Sequence, residues 1–396
     1  MGKLYILLVL ILTNCITIFS QGYNGWVVNE NLKYKLDGRM TIDGSYFIIK
    51  DSYRLMKNNE AIKLSNGFSI TNARLGISAE IYKNWHAEMD ISFSDNGSVS
   101  FKDLYLKYNL NKNNSFSFGN LKDPVMLANI TSSRYLKMER PVPVDFLSDG
   151  RHISLAWEYN DKHNYANVNI GFAEIGDHLP VSKFKGDNWA FGGRYVYRNA
   201  VDENIFHMGM YNHSRFYGYE NESLIYNAYS SNGLSSLDAD ELPLPNVKYT
   251  NVGGVEFLTN MRKVRMQAEG MYKYVSQRDS GEGRFLYGGY ISASYSLFSD
   301  NSMSYDYKRA CLEKNENQSL ELFARFSYLN LDDFNISGKC DVFTSSLGMA
   351  WYPNRFILGS LFYDCTLYRN RINRLYSWEG GLLPVHSINA RINVYF

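Results

Sequence analysis

Arg134, Lys137 and Arg140 lie close together in the segment 122–150, with only Glu139 among the three to balance them, and Lys122 stands at its head. Guanidinium and ammonium groups in a narrow, poorly screened passage attract phosphate or carboxylate. The same groups on an open loop are ordinary solvated charges, or partners for carboxylates on a neighbouring wall. Arg74 is a further cation, as apt to brace a nearby Glu as to line a path. Catalytic parts are missing: the chain has no G-x-S-x-G, no H-E-x-x-H and no P-loop. Seven His are scattered along it, of which His207 and His213 share one segment with matching parity. That could suggest a metal or a base, although a water-facing wall accepts His without either. No catalytic, metal-binding or cofactor-binding residue is therefore expected.

The elements that must position these cations are written in the alternation. In SINARINVYF, residues 387–396, Ile388, Ala390, Ile392, Val394 and Phe396 interleave with Ser387, Asn389, Arg391 and Asn393, and only Tyr395 breaks the rule. Period two reads as a strand with one apolar and one wet face. The pattern recurs in about sixteen segments, among them 68–82, 99–110, 151–160, 165–174, 319–330 and 386–396. Their connectors alternate in length. Residues 83–85, 111–114, 161–164 and 353–354 are short, whereas 122–150, 214–247 and 369–385 are long and rich in Ser, Asn, Gly, Asp and Pro.

Alternating strands with short turns at one end and long loops at the other predict a transmembrane antiparallel β-barrel of about sixteen strands, with periplasmic turns and extracellular loops. In lipid every backbone N–H and C=O must pair within the protein, which a closed sheet achieves without an edge. The last strand then closes on the first, and Phe396 completes its lipid-facing row. A soluble all-β sandwich or propeller also alternates, but no propeller-type repeat is present. The inward positions also carry Arg74, Glu80, Glu88, Asp90, Lys107, Glu158, Arg194, Arg198, Glu269, Lys273, Glu321 and Arg325, which a dry core would not tolerate. Pro124, Pro141 and Pro143 mark 122–150 as non-strand, so this connector is the probable constriction loop folded into the lumen.

Bulk numbers agree. Aromatics make up 15% of the 396 residues, with 32 Tyr and 23 Phe, a bias suited to pleated surfaces and membrane interfaces. The 41 basic and 40 acidic residues leave no basic stripe for nucleic acid. Lys3, the apolar run Leu4–Leu12 and the small residues Ser20 and Gly22 make 1–20 a secretory signal peptide, too short to span a membrane. The barrel domain is then 21–396. Cys15 lies in the leader, and Cys311, Cys340 and Cys365 are too sparse for a disulfide framework.

Three stretches resemble the phosphate-selective porin O and P family. ITNARLGISAEIYKNWHAEMDISF at 70–93 is similar to its early hairpin. FSFGNLKDPVMLANITSSRYLKMERP at 116–141 resembles its Gly-x-x-Lys-x-Pro strand end, on which Lys122 falls, and its Met-Glu-Arg segment. ELFARFSYLNLDDFNISG at 321–338 with SLGMAWYPN at 346–354 resembles its late strands and turn. The resemblance implies a trimeric, sixteen-stranded outer-membrane porin passing small anions by diffusion. Its partners would be small anionic solutes, outer-membrane lipid and the barrel assembly machinery, which reads a terminal aromatic such as Phe396. Where the family often carries an Arg pair this chain has Thr71 and Asn72, leaving Arg74 alone to carry over. Phosphate preference is thus weakened, and a substrate-specific channel for another nutrient, or a scaffold or adhesin, remain as alternatives.

Overall fold

The computed structural model describes residues 26–396 except 29–30, 49–55, 58–59, 62–65, 94–98, 176–183, 186–187, 202–203, 219–223, 227–241, 245, 279–282, 299–303, 314–317, 335–340, 370–375 and 378–381. The leader 1–20, Cys340 and most of the loop 214–247 lie outside the described residues.

Sixteen strands form the wall. The first eight are β1 (Leu32–Ile48), β2 (Gly67–Ile81), β3 (Trp85–Phe93), β4 (Val99–Asn109), β5 (Asn114–Lys122), β6 (Arg151–Asn160), β7 (Asn164–Ile175) and β8 (Trp189–Val201). The second eight are β9 (Asn204–Phe216), β10 (Val247–Met261), β11 (Val264–Gln277), β12 (Gly283–Ser296), β13 (Ser319–Asn330), β14 (Asp341–Asn354), β15 (Ile357–Arg369) and β16 (Leu382–Tyr395). Each pairs antiparallel with the next, and β16 pairs back onto β1 from Arg39 opposite Tyr395 to Ile48 opposite His386. The sheet is closed.

Alternation sorts the two faces as the sequence predicts. Leu347, Val255 and Met210 point outwards and are 65%, 62% and 61% exposed. Apolar surface left this open around a whole protein belongs in lipid rather than water. Inwards, Arg194, Arg198, Glu269, Lys273 and Glu321 are buried. The last hairpin differs slightly from expectation. Its strand runs on through Asn354, and the turn is Arg355–Phe356, because the Asn354 Oδ1 accepts the Phe356 N–H at 2.8 Å and a bulge follows Trp351.

The seam explains the chain's final residues. Phe396 and Gly38 exchange both backbone hydrogen bonds, at 3.0 and 3.1 Å. The Phe396 ring lies where a Cβ on residue 38 would stand, so a larger residue there would displace the ring. Tyr395, the exception in the alternation, faces the lumen, where its ring meets Tyr135 edge-on at 6.2 Å.

Two outcomes follow from this architecture. Protease added to intact cells should cut within 217–246 and spare the turn 110–113; the opposite pattern would reverse the orientation. Deleting Phe396 removes two seam hydrogen bonds of about 1 kcal/mol each together with the ring over Gly38. Heat-modifiable gel mobility should show less folded barrel at unchanged synthesis and export, and an unchanged folded yield would leave Phe396 with no part in closure.

Candidate functional site: the occupied lumen

The segment 123–150 lies inside the barrel. Its apolar residues Val125, Met126, Val144, Phe146 and Leu147 are buried against Val252, Met271, Leu286, Leu329 and Val342 of the wall. Two short helices shape it, α1 (Leu127–Ile130) and α2 (Val142–Leu147). A helix start leaves backbone N–H groups without partners, and here no local side chain supplies a cap. Instead Glu269 on β11 accepts from Leu127 N at 2.6 Å and from Ala128 N at 3.1 Å, while Tyr290 donates to the same carboxylate at 2.6 Å. Met126, just before α1, is held at φ 65°, a left-handed backbone costly for a non-glycine residue. The fixed carboxylate on one side and dry packing on the other hold it there.

Wall and loop charges then pair across the lumen. Arg134 pairs with Asp37, and Lys137 pairs with Glu321 and donates to Ser294 Oγ at 2.9 Å. Burial pushes the Lys137 ammonium's pKa down, and Glu321 opposes that shift. Arg391 grips Asp43 with two nitrogens, at 2.7 and 2.9 Å, and also pairs with Glu139. Lys122 and Arg140 are different. Lys122 donates to the Asn129 carbonyl, and Arg140 to the carbonyls of Ala128 and Thr131, at 3.1 and 3.4 Å. Among the described residues neither forms an ion pair. Arg74 shares Asp90 with Arg39, at 3.5 and 3.0 Å, so two guanidinium groups face one carboxylate.

The apolar part of the loop packs dry against β9 to β16. Facing β2 to β4, Arg74, Ser78, Glu88, Asp103 and Lys107 keep partial exposure, so the loop covers this side of the wall less. Between the loop and β11 to β14 lies a cavity of about 100 Å³ whose lining includes Arg265, Gln267, Glu313 and Arg325.

A second insertion was not foreseen from the sequence. The connector 297–318 joins β12 to β13 at the end of the barrel where the other described turns hold only a few residues. Its hairpin, Tyr305–Asp306 with Cys311–Leu312, enters the lumen from that end. Arg194 donates to the carbonyls of Arg309 and Ala310 at 2.9 and 2.6 Å, and Arg198 to that of Tyr307 at 2.5 Å. His207 bridges Tyr305 Oη at 2.8 Å and Glu256 at 2.9 Å. The hairpin packs with Leu127 of the loop in one apolar cluster, so the two insertions meet. Excess length at a short-turn end, with Tyr305, Tyr307 and Cys311 in it, was the available signal.

The sequence matches the model of the family "Phosphate-selective porin O and P" over residues 49–362. The chain belongs to that family. It is a channel of the outer membrane of a Gram-negative bacterium. The fold is similar to that of OmpT, an outer membrane protein of Vibrio cholerae, at 10% identity and TM-score 0.58, over 94% of this chain and 99% of that one. It is also similar to an anion-selective porin from Comamonas acidovorans, at 11% identity and TM-score 0.57, over 92% and 100%. Salmonella typhi OmpF matches at 10% identity and TM-score 0.53, over 94% and 100%. No curated protein matches this porin significantly in sequence.

Replacing Glu269 with Ala would strand two N–H groups and a phenol, at about 1–3 kcal/mol for each buried group left unsatisfied. Protease should then attack 123–150 in the purified porin, and Glu269→Gln, which keeps one acceptor oxygen, should do less. Equal resistance in Glu269→Ala would mean that the apolar face alone holds the loop. The Cys311 thiol is buried in the hairpin, which pushes its pKa up to about 12. Per-residue mass spectrometry after thiol labelling at pH 8 should find it unmodified in the folded porin and modified once unfolded. Labelling of the folded form would place the hairpin outside the lumen.

Proposed function

We infer that this porin passes small solutes by diffusion with a mild lean towards anions such as phosphate. The observation that carries this reading is the state of Lys122 and Arg140. Both are fixed on backbone carbonyls rather than carboxylates, so their charge is not cancelled by direct pairing where the loop narrows the lumen. The shared Asp90 adds a net positive charge from Arg39 and Arg74. In a passage of this kind fixed charge acts over about a Debye length, ~8 Å at physiological salt, so charges elsewhere on the wall count for little.

The lean is mild because the positions of the family's Arg pair serve structure instead. Thr71 donates to Asp43 at 2.5 Å and Asn72 to Ser133 of the loop at 3.1 Å. Arg134 and Lys137 have their charge matched by Asp37 and Glu321, and they act first as anchors of the loop. A homotrimer is supported by family membership and by the trimer form among the OmpT structures. The hairpin 305–312 favours a second reading, a channel specific for one solute, because it narrows the lumen from the opposite end.

Planar-bilayer recording tests both. Lys122→Gln combined with Arg140→Gln should move the reversal potential in a salt gradient towards cations while conductance persists. An unchanged ion preference would remove these two residues from the anion path. Conductance that saturates with phosphate but not with chloride would favour the specific channel.

A further inference from the structure

We propose that Asp123, His152 and His213 form a binding site for one divalent transition-metal ion of the zinc class at the neck of the lumen loop. Asp123 is the first residue of the loop, and its N–H closes the neck by bonding to the Gly150 carbonyl at 3.1 Å. His152 is the second residue of β6, just past the loop, and His213 projects from β9. The three side chains are 1%, 1% and 0% exposed, and their ligand-capable atoms all lie within 4.8 Å of one another. His152 Nδ1 stands 2.8 Å from Asp123 Oδ1, and His213 Nε2 stands 3.4 Å from the same oxygen. Bonds of about 2.0–2.2 Å to a tetrahedral ion place ligand atoms ~3–4 Å apart, so small adjustments suffice.

Hydrogen bonding accounts for only part of this cluster, the bond between His152 Nδ1 and Asp123 Oδ1. Neither ring nitrogen of His213 makes a hydrogen bond, and Asp123 Oδ2 has no partner, although all three atoms are buried. Buried polar atoms are normally satisfied, and a metal ion would satisfy Asp123 and His213 together. The wall is also shaped around the imidazoles. Gly192 faces His213 in register, where a Cβ would come within 2.5 Å of the ring. Gly171 is opposite Ser154, and a Cβ there would stand 3.1 Å from the His152 Cβ. The adjacent charges are settled elsewhere: Lys273 pairs with Asp149 at 2.5 Å. Asp149 Oδ2 also stands 3.8 Å from His213 Nδ1, on the side where a carboxylate commonly orients a metal-bound imidazole. Two imidazoles and one carboxylate suit zinc, cobalt or nickel rather than calcium or magnesium, which prefer oxygen. A bound ion would tie the loop's entrance to β6 and, over Gly171 of β7 and Gly192 of β8, to β9.

The test uses the folded barrel in detergent, loaded with excess zinc and gel-filtered to strip weakly held ions. One zinc per chain is expected, with none on His213→Gln or Asp123→Asn and an affinity about 10- to 100-fold weaker for Asp149→Asn. Cobalt in place of zinc should give visible d–d bands without thiolate charge transfer, which separates this site from the cysteines. Wild-type barrel that retains no zinc would overturn the proposal whether or not the variants fold. Zinc retained by His213→Gln, or cobalt bands with thiolate charge transfer, would overturn it equally.

Discussion

A charge pointing into a crowded lumen must be hydrated or matched, and in this barrel little room is left for water over half the wall. That constraint organises the interior. The closed sheet presents a row of inward charges, and the loop 123–150 supplies what they need: Asp37 receives Arg134, Glu321 receives Lys137, and Glu139 joins Asp43 on Arg391. Breaking a buried pair by removing one member costs far more than the pair itself contributes. The arrangement therefore fixes one position of the loop rather than adding much stability. Glu269 works in the same way with backbone dipoles in place of a cation.

The passage is what remains when those demands have been met. Where wall and loop are matched, packing is dry and apolar, as at Leu286 and Val144. Beside the partly covered wall of β2 to β4, Arg39 and Arg74 share the single carboxylate of Asp90. The hairpin 305–312 extends the same logic from the other end, with Arg194 and Arg198 spent on its carbonyls.

Much of this was legible in the sequence, and for physical reasons. Period-two alternation survives because each strand must face lipid and water at once, so the strands, the closure and the non-strand loop with its prolines could be read directly. The partners could not. Arg134 and Asp37 are 97 residues apart, and Lys137 and Glu321 are 184 apart; single-sequence patterns carry no information about such pairs. The matching parity of His207 and His213 was visible, but their environments differ completely: one is satisfied by Glu256 and Tyr305, the other faces Asp123. Tyr395 broke the alternation because it packs on Tyr135 of a loop from another part of the chain.

The two-pronged grip of Arg391 on Asp43 joins residues 348 positions apart, beside the seam where β16 meets β1. No shorter piece of chain can make it. Contacts of such separation are costly to close, because the entropy of bringing the ends together must be overcome before they contribute. Without β16, β1 would have an unpaired border, which lipid cannot satisfy. Closure of this wall thus rests on one pair of strands from opposite ends of the sequence, and losing either would leave Asp43 or Arg391 without its partner beside a row of unpaired backbone groups.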